Sequence, residues 1–331
     1  MQIISETINF EIKEPTAIVL GKFDGVHVGH QLLVKKLLEQ KEKGLKTVVF
    51  TFDKSPASLF IHDGDTYREL CTLEEKREIF EKLGVDVLIE FPMNAETATI
   101  PAEEFVTEIL QKRLNCNILI AGEDITFGHR GRGDSQMLLD YSRAGGFPVE
   151  IMDKLLASDI FPEEKSSEEV SSTSIRREIN AGNIARANAL MGRAFLVRGE
   201  VIHGNHLGSM VFNMPTANIK WPENKVFPAF GVYYTEILTD NKCFGGITNV
   251  GIKPTIESNG QNEVLAESYL YDFEGDLYGK DITVVFYSYI RPEQKFENLE
   301  ALKAQLQKDM EAGKSYWSDN LIISSTIVNM G

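Results

Sequence analysis

Short apolar runs alternate with stretches of helical spacing through the first half of the chain. Residues 17–20, Ala17-Ile18-Val19-Leu20, form the β-branched run of a buried strand. Over 31–40, Leu33, Val34, Leu37 and Leu38 recur at the spacing of one helix face. The alternation then continues, with strands expected at 46–52, 85–90, 117–121 and 148–152. One intervening helix opens on the capping box Thr72-Leu73-Glu74-Glu75 and closes at Gly84. A second follows Pro101 and carries Phe105, Val106, Ile109 and Leu110. A third, over 135–144, ends at Gly145-Gly146. Strands alternating with helices imply a parallel sheet covered on both faces. After Leu190-Met191-Gly192-Arg193 the pattern changes to closely spaced β runs at 195–202, 231–238, 242–249, 264–273 and 281–290, then a closing helix at 298–310. That is the pattern of a small antiparallel barrel. The expected class is α/β in two domains, 1–186 and 187–331.

The loop between the first strand and its helix, Gly21-Lys22-Phe23-Asp24-Gly25-Val26-His27-Val28-Gly29-His30, concentrates the chemistry. Ligands bind at the carboxyl ends of strands in an open parallel sheet. Gly21, Gly25 and Gly29 allow tight bends and close backbone approach to a phosphate. His27 and His30 lie where a helix start favours anions, and their imidazoles can donate to phosphate oxygens. The pair lacks a nearby third metal ligand, and neither Gly-x-Gly-x-x-Gly nor Gly-Lys-Ser/Thr is present. A second anion signal is Ser171-Ser172-Thr173-Ser174-Ile175-Arg176, ahead of a helix reaching about Asn180. Capping accounts for one hydroxyl of the four, and a cation in a first helical turn opposes the dipole unless an anion binds there. The acidic run 163–169 reads as a solvated mobile loop.

Composition narrows the partners. The 331 residues carry a net charge of −15, which disfavours nucleic acid and anionic membrane surfaces. A polyanionic ligand must then be held by a few local donors, helped by a divalent cation. The three cysteines, Cys71, Cys116 and Cys243, are scattered and read as free thiols of a reducing compartment. With no signal-like or membrane-length apolar run, the expected location is cytoplasmic, as a monomer or weak homo-oligomer.

The first loop resembles the His-x-Gly-His signature of the nucleotidyltransferases, and its longer form is similar to that of the bacterial bifunctional riboflavin kinase/FAD synthetase family. The likeness extends to about Trp317. It implies a Rossmann-like FMN adenylyltransferase domain followed by a riboflavin-kinase-like barrel, with ATP, Mg2+, FMN or FAD and riboflavin as ligands. By the same resemblance His27, His30 and Arg176 are catalytic. Gly21, Phe23, Asp24, Gly25, Gly29, Ser172, Thr173 and Ser174 hold ATP. Phe52, Asp53, Asp124 and Phe127 face the flavin, with Phe127 against the isoalloxazine ring. Lys54-Ser55 stands where relatives have Pro-His, and Lys54 is a candidate replacement charge. In the barrel, Pro215-Thr216-Ala217-Asn218 resembles the kinase signature; Thr216 and Asn218 would hold Mg2+, and Glu267 would activate the ribityl hydroxyl. The preceding loop departs from the family's Gly-Arg-x-x-Gly, having Ser209, Met210 and Asn213 instead. The expected function is therefore transfer of AMP from ATP to FMN with a weak or inactive kinase. A fully bifunctional enzyme and a non-catalytic flavin-binding regulatory module are the alternatives. Residues 321–328, rich in β-branched side chains, are expected to add an edge strand or meet a neighbouring chain.

Overall fold

A computed structural model describes residues 1–55, 67–203, 216–240, 242–254 and 262–320. It divides into two compact units, Met1–Ser172 and Thr173–Gly331.

The first unit is built on strands β1 (Gln2–Ser5), β2 (Thr16–Leu20), β3 (Lys46–Phe52), β4 (Val87–Phe91), β5 (Cys116–Gly122) and β8 (Val149–Met152). All sheet pairings are parallel, in the order β1-β4-β3-β2-β5-β8. Both faces are buried, as the pattern predicted: Ile18 and Leu20 of β2 enter one core cluster, Ala17 and Val19 the other. Helix α1 (Val28–Leu38) contributes Leu33, Val34 and Leu37 to the second cluster. Helix α2 (Leu73–Leu83) starts on the expected capping box: Thr72 accepts from the Glu75 N–H, and Glu75 accepts from that of Thr72. It ends at Gly84, in the left-handed conformation (φ 86°). Helix α3 (Ala102–Glu104) continues as a π-helix, Phe105–Arg113, with Leu114 bonded to Ile109. A two-stranded hairpin, β6 (Thr126–Phe127) with β7 (Gly133–Asp134), precedes α4 (Ser135–Arg143), whose N-cap is Asp134. The short α5 (Ala157–Ile160) follows β8. Strand β1 carries no apolar alternation, and sequence reading missed it.

The strand order fixes where a ligand sits. From β2 the chain runs outward through β3 to β4, which lies beside the edge strand β1, and β5 and β8 extend the other side. The topological switch point is therefore between β2 and β5, with its crevice at their carboxyl ends.

The second unit holds helix α6 (Ser172–Asn180) from its second residue onward, helix α7 (Ile184–Met191) and strands β9 (Phe195–Ile202), β10 (Thr216–Lys220), β11 (Gly231–Thr239), β12 (Lys242–Pro254), β13 (Asn262–Leu270) and β14 (Asp281–Pro292). The strands close a barrel in the order β10-β13-β12-β11-β14-β9. Helix α7 is pinned by Asn188, which donates to the Phe286 carbonyl and accepts from the Phe195 N–H at 2.8 and 2.7 Å. The Ala229 N–H bonds the Ile179 carbonyl of α6. By these contacts the helix pair groups with the barrel. Inside, three buried hydroxyls on adjacent strands form a chain, Thr235 to Thr248 (2.7 Å) and Thr248 to Ser268 (2.8 Å). Helix α8 (Leu299–Asn320) runs past the expected end at residue 310. Its Tyr316 stacks on Tyr234 at 4.1 Å, and the Trp317 indole N–H donates to the Gly246 carbonyl. The expectation for 321–328 lies outside the described residues.

Cys71 and Cys116 are buried free thiols and Cys243 is an exposed one. Although the Cys243 residue is exposed, its thiol is partly shielded from water beside Glu236, which pushes it up to about 12.

Candidate active sites

The loop 21–30 leaves β2 at the switch point. Its shape rests on three left-handed residues, Phe23 (φ 48°), Gly25 (φ 79°) and Val26 (φ 36°). A β-branched residue at positive φ is uncommon, and such strain collects at functional sites. Three bonds impose it. The Gly21 N–H donates to the Phe50 carbonyl, Thr51 Oγ1 donates to the Lys22 carbonyl, and Gln31 Nε2 donates to the Val26 carbonyl. The loop delivers His27 and His30 to the head of α1, with ring centroids 3.7 Å apart and planes 23° from parallel. His27 is only 6% exposed. Phe23 packs edge-on against His30 and against Phe80. A Cβ on Gly29 would lie 3.3 Å from the His27 ring, so the glycine leaves that ring its seat.

Asp24 acts on protein rather than facing open space. Its buried carboxylate accepts the Leu70 N–H at 2.7 Å, and Leu70 fills the space beside Gly25. Glu69 accepts from Lys76 at 2.8 Å and from the Ser55 N–H at 3.1 Å. Residues 69 and 70 thus strap the His27 loop to the end of β3. Burial lowers the pKa of Lys76, but the Glu69 carboxylate outweighs it and holds the ammonium above the ordinary lysine value. The hydroxyl of Ser172, the last residue of the first unit, donates to the Asp24 carbonyl at 2.8 Å. Within α6, Thr173 is exposed, Ser174 is buried and Arg176 is partly exposed.

The barrel brings a second set together. Thr216 and Asn218 on β10 stand beside Glu267 on β13: Asn218 is directly opposite Glu267, and Thr216 Oγ1 donates to Glu267 Oε1 at 3.3 Å. Asn218 is 2% exposed, and its Oδ1 has no hydrogen-bond partner among the described residues. An oxygen buried in this way, beside a hydroxyl and a carboxylate, suits a hard divalent cation. Among the described residues no group of three or more His, Cys, Asp or Glu side chains is placed to hold a metal ion. The altered loop at 204–215 lies outside them.

Comparison with known proteins follows these two sets. The FAD synthetase family pattern matches residues 9–173 and the riboflavin kinase pattern matches 191–317. A bifunctional riboflavin kinase/FMN adenylyltransferase of Listeria monocytogenes is 33% identical over 91% of this chain and 92% of its own. The chain belongs to the bifunctional riboflavin kinase/FMN adenylyltransferase family. Relatives of that name in Escherichia coli K12 and Bacillus subtilis 168 are 32% and 31% identical over 92% and 93% of this chain, and 94% and 95% of their own. A solved structure described as a macrolide-efflux protein from Streptococcus pneumoniae aligns with TM-score 0.80 and 28% identity, over 92% of this chain and 96% of its own. Among the described residues no helix is long and apolar enough to cross a membrane.

The structure also places the residues for which the resemblance implies flavin or nucleotide contact. Phe127 is 3% exposed and packs in the core against Phe105, with its ring over Gly133. Phe23 is fully buried and supports the loop from beneath. The Asp24 carboxylate is spent on Leu70, and Gly25 is required by its φ and by Leu70. Asp124 is exposed after β5 and pairs with Lys154 at 3.4 Å. Phe52 is half-buried against Phe50, and Asp53 accepts the Met93 N–H at 2.8 Å. Lys54 is exposed at the end of β3. The acidic run is not wholly loose: Glu169 pairs with Lys154 at 2.6 Å, and Leu156 bridges Glu169. Sequence reading missed Gln31, Leu70 and the Lys76–Glu69 pair. A buried lysine inside an amphipathic helix leaves no mark in the apolar spacing.

Proposed function

We propose that the first unit adenylylates FMN, giving FAD and pyrophosphate, and that the second is a riboflavin kinase weakened by its phosphate loop. The reading rests on one observation above the others: His27 and His30 stack at the head of α1, at the switch point of a parallel sheet. An oxygen of the FMN phosphate attacks the α-phosphorus of ATP in line. The bond from that phosphorus to the β-phosphate oxygen breaks, and its electrons leave with pyrophosphate. No protein nucleophile is needed. The chain supplies alignment and donors to developing charge. His27 and His30 donate to α- and β-phosphate oxygens, while Ser172, Thr173 and Arg176 serve the outer phosphates. Gly21 and Gly29 admit the phosphates closely.

For the kinase, Glu267 would accept the proton of the ribityl hydroxyl, and Thr216 and Asn218 offer oxygen ligands. A bound Mg2+ would neutralise phosphate charge there. The proposed weakness rests on Ser209, Met210 and Asn213, which replace the glycines and arginine of relatives. We place the protein in the cytoplasm.

The test incubates the full chain with ATP, Mg2+ and either FMN or riboflavin, then resolves the flavins and assays pyrophosphate. FAD from FMN is expected at a rate far above that of FMN from riboflavin. Equal rates would replace this reading with the fully bifunctional one; no pyrophosphate release would leave a binding module.

A further inference from the structure

The reaction proposed for the first unit brings two anions together. The FMN phosphate must approach an α-phosphate that is itself charged, and the two repel. The histidines and the α6 residues serve the ATP chain, which leaves the attacking phosphate without a partner of its own. In a chain of net charge −15 that partner has to be a local cation.

The carboxyl ends of the strands around the switch point offer few. After β8, Lys154 is engaged by Asp124 and Glu169. After β5 come the carboxylates Glu123 and Asp124. After β3, Lys54 directly follows the carboxylate of Asp53. After β2, the switch strand itself, stands Lys22. It is exposed and forms no ion pair among the described residues. Its backbone is nonetheless fixed. The N–H of the preceding Gly21 donates to the Phe50 carbonyl, and the Lys22 carbonyl accepts from Thr51 Oγ1 at 3.0 Å. The following Phe23 is fully buried. The nearest carboxylate in sequence, Asp24, is buried and accepts the Leu70 N–H. A compact ammonium on a flexible stem, rooted in a rigid loop, suits a phosphate as a point charge.

We propose that Lys22 is the cation that receives the phosphate of FMN. This deepens the adenylylation reading and rests on it. Lys22 neutralises the attacking group as it nears the ATP α-phosphate, and it favours a flavin that carries a phosphate over one that does not. It takes no proton and forms no bond to the substrate, so its contribution is one of charge and place.

The experiment measures FAD formation by the full-length protein, first with FMN varied at saturating ATP and Mg2+, then with ATP varied. In Lys22→Gln, KM for FMN should rise about tenfold, while KM for ATP stays within about twofold of the parent value. Lys22→Arg, which keeps the charge, should recover most of the loss. Lys35→Gln removes the same charge from the exposed side of α1 and should leave KM for FMN within about twofold. Added salt should narrow the gap between Lys22→Gln and the parent, since an exposed charge is screened. An unchanged KM for FMN in Lys22→Gln overturns the inference. So does a rise confined to ATP, which would give the charge to the other substrate, or an equal effect of Lys35→Gln, which would make it a general field. A parent chain that makes no FAD overturns the adenylylation reading and this inference with it. An active parent with an indifferent Lys22→Gln overturns this inference alone.

Discussion

At the scale of single residues, the strained loop before α1 separates side chains that build the site from those that use it. In the proposed reaction His27 and His30 use it. His30→Ala is expected to lower FMN adenylylation about a hundredfold or more, with FMN affinity little altered, in steady-state kinetics. Gly25 builds it. An alanine there meets both φ 79° and the Leu70 side chain 2.6 Å from its Cβ. Gly25→Ala should therefore destabilise the first unit by about 1–3 kcal/mol, read as a lowered denaturant midpoint with unchanged slope. The strand-to-helix turn that carries these glycines and histidines was legible in the chain, because its flanks have clear apolar periodicity. What it could not show was the packing of Leu70 against Gly25, since Leu70 lies 45 positions away and meets Gly25 only after folding. The same holds for Phe127, whose fate depends on Phe105 and Gly133 closing over its ring.

At the scale of elements, the strap from Asp24 through Leu70 and Glu69 to Lys76 joins β2, β3 and α2. Lys76 and Glu69 are 2% and 12% exposed in their side chains. Removing one partner leaves the other charge in a poorly solvated place, so Lys76→Met should cost about 3–5 kcal/mol. Lys76→Met with Glu69→Gln should recover much of it, measured by chemical denaturation. The pH dependence follows from the sign of the Lys76 shift. A lysine raised above its unfolded value stabilises fully below that value, and the contribution is lost as pH climbs through the folded pKa. The Lys76–Glu69 contribution should therefore persist through neutral pH and disappear only in strong alkali. The elements themselves were the most readable level. Strands β2 to β5 and the capping box of α2 followed from apolar periodicity and one four-residue signature. Strand β1 did not, because Gln2–Ser5 is a short, partly exposed edge that gains its hydrogen bonds from β4. The length of α8 was equally hidden. Its last turns are held by aromatic contacts to β11 and β12, which no local pattern announces.

At the scale of the whole molecule, two compact units divide two sets of chemistry-bearing residues, one around His27 and one around Glu267. Lesions confined to the barrel should therefore act on the kinase step first. Gly313 of α8 lies against the Tyr271 hydroxyl, where even a Cβ has no room. Gly313→Val should displace α8, lowering the melting temperature of the barrel and any FMN formation while FAD production from supplied FMN continues. Loss of both activities together would show that the units fail as one.

The row of hydroxyls inside the barrel has a consequence of its own. Each group has a single proton to give, so Thr235, Thr248 and Ser268 share a limited choice of donation patterns, and Thr248 mediates all of them. A valine at 248 deprives two interior oxygens at once, whereas a valine at 235 or an alanine at 268 deprives one. The central substitution should accordingly cost about twice either outer one, at about 1–3 kcal/mol for each stranded group. Its position in the line, more than its own burial, makes Thr248 the least replaceable of the three.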